Sequence, residues 1–291
     1  MPINIEIKNK IHSIENTQKI TKAMEMISIA KMKKTQCKME ISRPYANILN
    51  KVISHVSQGY LEYKHPFLYT EKKIKKNGYI ILSTDKGLCG SLNTNLFKKI
   101  LDMFIIDAKK NIFTEIILLG SKGSNFFESL GYNILDKTIN IGENPSFSTI
   151  ITFAHPLIQA YKNQKIQKLY ICYNHFHNRL SQHPIIKQLL PFPKKQTNNY
   201  KKKIWDYIYE PNAKYLLNLL LNRYLEFQIY QSVLENLASE QAARMVAMNT
   251  ANNNSTSMIK DLQLIYNKSR QSNITQEITE IISGSNALSK E

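Results

Sequence analysis

Residues 15–36 read ENTQKITKAMEMISIAKMKKTQ, a stretch of good helix formers with no Gly or Pro. Its apolar residues do not keep to one face. At about 100° per residue, Ala23, Met24, Met26, Ile27, Ile29, Ala30 and Met32 are spread around the whole circumference, with Lys19, Lys22, Lys31, Lys33 and Lys34 on either side. A helix that is apolar all round needs protein on every side of it.

Breaker placement shows how far this helix extends. Of the nine glycines, all but Gly284 lie between Gly59 and Gly142, and all nine prolines lie at or before Pro211. Residues 3–56 therefore contain a single breaker, Pro44, and residues 212–283 contain none. Two long helical segments are predicted, flanking a middle full of turn signals. At 1.5 Å rise they would reach roughly 80 Å and roughly 110 Å, far beyond a domain of about 30 Å, so they must stand out of it or break. NTANNNSTS (249–257) is the expected break or bend, because Asn and Ser offer the backbone competing hydrogen bonds.

Both segments carry readable seams. Leu220, Tyr224, Phe227, Gln231, Leu234, Ala238, Gln241, Met245 and Met248 follow 4-3 spacing, and Ile274, Ile278 and Ile281 are expected to resume it. Near the start, Ile7, Ile11 and Ile14 open a stripe that Ile41, Tyr45, Ile48, Val52 and Val56 are expected to continue. Each seam needs a partner, and joined through a compact middle the two segments can pair antiparallel. The expected organisation is a helix over 1–58, a central α/β domain over 59–211 and a helix over 212–291.

The middle alternates strand and helix patterns. GYIILST (78–84) leads through DKGLCG into a helix over Leu92–Phe104, and EIILLG (115–120) through SKG into a helix over Ser124–Leu130. YNILDKTINI reads as a third strand. Ser146–Lys162 reads as a helix kinked or bounded at Pro156, and KLYICYNHF and PIIKQLLPF as adjacent strands. This alternation implies a mainly parallel, Rossmann-like sheet with an antiparallel edge. KKQTNNYKKK (194–203) reads as a basic loop.

Composition restricts the function classes. The formal charge is +17, from 39 basic and 22 acidic residues. Residues 212–291 are balanced at 7 and 7, so the excess lies in residues 1–211. A basic surface suits nucleic acid, an anionic membrane or an acidic protein partner. Cys37, Cys89 and Cys172 are an odd, scattered set without CxxC, arguing against a disulfide framework or zinc site. No apolar run approaches a spanning length and no signal peptide is evident, so a soluble cytoplasmic protein is expected.

No catalytic constellation emerges. DKGLCG and GSKG invite a phosphate-loop reading, but neither matches GxxxxGK[ST] or GxGxxG, and tight strand-to-helix turns are favoured. Cys89 has no base placed by sequence to activate it. His175 and His177 alternate onto one strand face, but two histidines without a third ligand are a weak metal signal. Asp85, Asp102, Asp107 and Asp136 are scattered. No cofactor is expected. Nucleic-acid motifs are absent, which leaves a basic coiled-coil scaffold or nucleic-acid binder as the alternative reading.

Taken together, NKIHSIENTQKITKAMEMISIAKMKKTQ, SRPYANIL, LEYKHPFL, STDKGLCGSLNTNLFKK, WDYIYEPN, ENLASEQAARMVAMNTA and LQLIYNKSRQSNITQEITEIISG closely resemble the γ subunits of bacterial F-type ATP synthases, in order from about Ile5 to Gly284. The resemblance implies an antiparallel coiled coil of the terminal helices inside an α/β hexamer, and an α/β foot that binds the ε subunit and the membrane c-ring. One non-catalytic copy would sit in each complex, peripherally on the cytoplasmic face of the inner membrane. Residues 23–32 would face the partner helix on one side and the hexamer on the others.

Matching motifs place Met24, Lys86, Cys89 and Arg244 near the levers of the β subunits. Arg270, Gln271, Thr275 and Glu277 match polar contacts to β loops, and Ile274, Ile278, Ile281 and Ile282 an apolar bearing. Tyr207 and Glu210 match the side facing ε and the c-ring. Ser91 and Ser285 depart from the family pattern, where Gly and Ala are usual.

Overall fold

The computed structural model describes residues 2–58, 66–68, 74–140, 142, 145–192 and 213–288. Two long helices, α1 (Pro2–Gln58) and α5 (Ala213–Leu288), enclose the remaining elements in sequence. The chain divides into two compact units, residues 29–244 and residues 1–28 with 245–291.

The larger unit is built on a five-stranded sheet. Its strands are β1 (Lys76–Leu82), β2 (Phe113–Leu119), β3 (Ile134–Thr138), β4 (Lys168–Phe176) and β5 (Gln182–Leu190), in the order β3-β2-β1-β4-β5. All neighbours are parallel except β5, which runs antiparallel to β4. Helices α2 (Leu92–Lys109), α3 (Ser121–Ser129) and α4 (Phe147–Lys162) complete the strand–helix alternation expected from the sequence.

Both faces of the sheet are covered, which explains the unbroken apolar runs of β1 and β2. Along β1 the side chains alternate between two cores. Ile80 and Leu82 join α4 and α5 on one face, while Tyr79 and Ile81 join α2 and α3 on the other. Pro156 does not bound α4, which continues to Lys162. The proline is exposed, so water can take the carbonyl whose partner N–H is missing. Pro44 sits likewise inside α1.

In this unit α5 presents two stripes. Leu217, Leu221, Leu225, Ile229 and Val233 pack into the sheet core. The predicted seam residues Phe227, Leu234 and Ala238 face α1, where they meet Leu49 and Met39. The α1 side of the prediction requires correction. Ile41, Tyr45 and Ile48 are exposed, and the covered positions are Met32, Thr35, Met39, Ser42, Leu49 and Ile53. Tyr45 nonetheless stands edge-on to the Phe227 ring at 4.9 Å. Val52 packs against the core, and the Val56 side chain lies outside the described residues.

The smaller unit pairs the start of α1 with the end of α5. Gln18 Nε2 donates to Thr256 Oγ1 at 2.8 Å, and Asn249 Nδ2 donates to Glu25 Oε1 at 3.0 Å. Moving from 18 to 25 in one helix moves from 256 to 249 in the other, so the two run antiparallel. The half-buried α1 positions are Asn4, Ile7, Ile11, Ile14, Glu15, Gln18, Thr21 and Glu25, all but Glu15 on one stripe. That is the 4-3 phase opened by the three isoleucines, continued by polar side chains.

Two further expectations fail here. The Asn run neither breaks nor ends α5. Thr250, Ser255 and Thr256 send their hydroxyls back to the carbonyls of Val246, Ala251 and Asn252 at 3.0, 2.8 and 3.0 Å, an arrangement in which these side chains lie along a continuing helix. Nor do Ile274, Ile278 and Ile281 resume the seam. The covered phase passes through Asn252, Ser255, Ile259, Leu262, Tyr266, Ser269 and Asn273, one residue away, and the three isoleucines are exposed.

A single glycine fixes the β2–α3 turn. Gly120 has φ +100°, and a Cβ there would lie 2.6 Å from the Ser83 carbonyl oxygen. Gly120→Ala combines a left-handed backbone with a backbone clash, so it should destabilise the larger unit by about 3 kcal/mol or more. Urea unfolding of the variant beside the parent chain measures this.

Candidate functional site

The turn Thr84–Gly90 joins β1 to α2 and is organised from within. Thr84 Oγ1 donates to the Lys86 carbonyl at 2.9 Å and accepts from Asn93 Nδ2 at 2.7 Å. Leu88 adopts φ +63° at the tip and is exposed, and Gly90 follows at φ +60°. An exposed leucine in the left-handed region is the one member of this turn that sequence reasoning missed. A positive φ on a branched aliphatic side chain leaves no sequence signal.

Arg244 reaches this turn from α5. Its guanidinium donates to the Gly87 carbonyl through Nε at 3.3 Å and Nη2 at 3.2 Å, and to Glu240 Oε1 at 2.6 Å. Only 8% of Arg244 is exposed. The sequence-predicted residues Lys86, Cys89 and Arg244 are thus gathered at one turn, with Glu240 added as the unforeseen partner. Burial pushes the Glu240 carboxyl above its ordinary value of 4.5, with Asp85 adding to the rise and Arg244 and Lys86 opposing it. Burial also pushes the Cys89 thiol up, which disfavours the thiolate a nucleophile needs.

The α3 N-terminus, the place for a phosphate in the loop reading, is closed by this chain's own groups. Ser121 N–H donates to Asp85 Oδ1 at 3.0 Å, and Gly123 N–H donates to Ser83 Oγ at 3.0 Å. A carboxylate already occupies the place an anion would take. His175 pairs with Glu235 at 2.6 Å, and the His177 ring lies 6.3 Å from that of His183. Among the described residues no group of three or more His, Cys, Asp and Glu could hold a metal ion.

In the smaller unit, Met24, Arg270, Gln271, Thr275, Glu277, Ile274, Ile278, Ile281 and Ile282 are all turned outward from the seam. Thr275 returns its hydroxyl to the Gln271 carbonyl at 2.9 Å. Tyr207 and Glu210 lie outside the described residues.

The model of the ATP synthase family matches residues 4–288. ATP synthase gamma chains from the Tuc7, 5A and APS strains of Buchnera aphidicola subsp. Acyrthosiphon pisum are each 54% identical to this chain over 284 residues, 98% of both sequences. The chain belongs to the ATP synthase gamma-chain family. As a gamma chain it is a non-catalytic subunit of the synthase, and the nucleic-acid alternative finds no support.

Solved structures agree in fold. The rotor of the Euglena gracilis mitochondrial ATP synthase matches with a TM-score of 0.65 at 19% identity, over 94% of this chain and 99% of that one. The central stalk and c-ring structure from Tetrahymena thermophila mitochondria matches at 0.59 and 27% identity, over 80% of this chain and 99% of that one. The gamma chain is part of a membrane-associated complex, and among the described residues no helix is long and apolar enough to cross a membrane itself.

Glu240 makes a pH test of this site available. Its folded pKa is raised, so its favourable contribution is present below about 4.5 and is lost as pH rises through the folded value. Glu240→Gln still accepts from Arg244 but does not titrate. Denaturant unfolding from pH 4 to pH 8 should therefore show the parent chain losing stability relative to Glu240→Gln as pH rises.

Proposed function

We propose that this gamma chain turns inside a hexamer of α and β subunits, one copy per complex, and couples ion flow through the c-ring to conformational change at the catalytic β subunits. Residues 1–58 and 212–291 form the turning helices, and residues 59–211 form the foot toward ε and the c-ring. Its place is the cytoplasmic face of a bacterial inner membrane, a reading supported by the bacterial gamma chains that cover 98% of it.

One observation carries the proposal. In the smaller unit the covered seam mixes Ile7, Ile11, Ile14, Ile259 and Leu262 with polar side chains, while Ile20, Met26, Ile27 and Ile278 are 60%, 59%, 51% and 52% exposed. Apolar side chains presented outward around a satisfied helix pair call for an enclosing partner. A surrounding ring of subunits supplies it, which is also what the apolar circumference of residues 15–36 demands.

The mechanism follows from linkage. The chain contributes no reacting group. It alters the relative free energies of β-subunit conformations by making different contacts with each, which is the requirement for any coupling between sites. We assign Met24, Lys86, Cys89 and Arg244 to the level of the β levers. Arg270, Gln271, Thr275 and Glu277 supply orientation-dependent polar contacts. Ile274, Ile278, Ile281 and Ile282 form a bearing surface with few directional bonds, and Tyr207 and Glu210 face ε and the c-ring. Arg244 acts at its level through the Lys86–Cys89 turn that it holds.

The chain should purify with α, β and ε subunits in a complex that leaves the membrane in low salt with a chelator. Salt-sensitive retention on DNA without those companions would overturn the reading. Arg244→Ala should lower ion-driven ATP synthesis about fivefold or more, the scale of a typical coupling energy, while hexamer assembly persists. Parent-level synthesis in inverted vesicles would remove Arg244 from the coupling path.

A further inference from the structure

Between residues 228 and 240, α5 remains buried but becomes partly polar, with Ile229, Val233, Leu234 and Ala238 still in its apolar contacts. Gln228, Ser232, Glu235, Asn236, Ser239 and Glu240 are each 7% exposed or less and recur along one side of the helix. Lower on the same helix, Leu217, Leu221 and Leu225 meet the sheet with aliphatic side chains. An aliphatic continuation would bury as well or better, since exchanging both members of a buried polar pair for apolar groups is often neutral or stabilising. What apolar side chains lack is direction.

Four of the six are bonded to the last two strands, while Ser232 and Glu240 bond within α5, to the Gln228 carbonyl and to Arg244. Ser239 Oγ donates to the Asn174 carbonyl at 2.8 Å. Asn236 Oδ1 accepts from the Asn174 backbone N–H at 3.1 Å and from Asn174 Nδ2 at 3.2 Å. Glu235 holds His175 on β4, and Gln228 accepts from Lys187 on β5.

Helix roll is the motion these bonds resist. At a side-chain radius of about 5 Å, a roll of about 15° moves the helix surface by roughly 1.3 Å. That displacement takes a bond of ordinary length out of range, whereas apolar burial is non-directional and opposes it only through packing. We infer that this stripe is a torsional key, locking the roll angle of α5 against β4 and β5, with Asn236 and Ser239 as its positioning residues. The inference rests on the rotor reading, because a fixed roll angle matters to a subunit that must pass torque from its α/β core into its C-terminal helix. It concerns a joint inside this chain and needs no contact with another subunit.

The test uses the complete synthase in sealed inverted vesicles. ATP hydrolysis and ATP-driven ion pumping are read in parallel. The control with the parent chain, assembling and pumping, reports on the rotor reading alone; the ratio of variant to parent reports on the key. Asn236→Leu/Ser239→Ala should pump at least threefold less per ATP hydrolysed, with hydrolysis within twofold of the parent. Ser239→Ala alone, which removes one hydroxyl without changing the packing volume much, should give a smaller loss in the same direction. Asn236→Asp keeps the acceptor oxygen and should retain the parent ratio. Parent-level pumping per ATP in the double variant overturns the inference. So does an equal loss in Asn236→Asp, because general loosening of the site, and not the lost acceptor, would then be responsible.

Discussion

The antiparallel pairing of α1 with α5 constrains every other feature of the chain. Long helices owe their stability to tertiary contact more than to propensity, so each needs the other along its covered phase. In the larger unit the pairing is apolar, with Met39 against Leu234 and Ala238, and Leu49 against Phe227. In the smaller unit it runs through Gln18–Thr256 and Glu25–Asn249. A polar seam is a weaker adhesive but a stricter guide to register, since each bond has one partner and a narrow range of geometry. It also leaves Ile20, Met26 and Ile27 of that segment facing outward.

In the larger unit, a sheet of nucleotide-binding type has the start of α3 closed by the chain's own groups. In open α/β sheets ligands bind beyond the carboxyl ends of the strands. Here that region is filled by the chain itself. Asp85 accepts from the start of α3, Ser83 sits where a side chain at Gly120 or Gly123 would otherwise lie, and the Lys86–Gly87 carbonyls accept from Arg244. Fold and function part company at this edge. The donors that would bind a phosphate in a relative of another kind instead hold a turn and tie it to α5.

Legibility in the sequence followed the strength of local pattern. GYIIL and EIILL are buried on both faces, so their strands stood out as unbroken apolar runs between turn residues. The helix phases were harder. Ile41, Tyr45 and Ile48 make a better-looking stripe than Met32, Thr35, Met39 and Ser42, yet the second set is covered. A surface that docks on another protein is as greasy as an internal seam, and periodicity alone does not say which stripe turns inward. The Asn run misled for a related reason. Asn, Ser and Thr side chains can disrupt a helix or lie along it, and the neighbouring helix, by bonding Thr256 and Asn249, supports the second arrangement.

Residue order alone established the element types, the strand–helix alternation of the middle, the pairing of the two ends and the family, because these depend on spacing, breakers and motifs that are local. Tertiary structure decided which stripe of each helix is covered, that Arg244 turns inward to the Gly87 carbonyl, and that Asn236 and Ser239 grip β4. Those outcomes depend on groups brought together across more than 60 and in places more than 150 positions of chain. Burial and hydrogen bonding at that range are properties of the packed neighbours, and no local pattern records them.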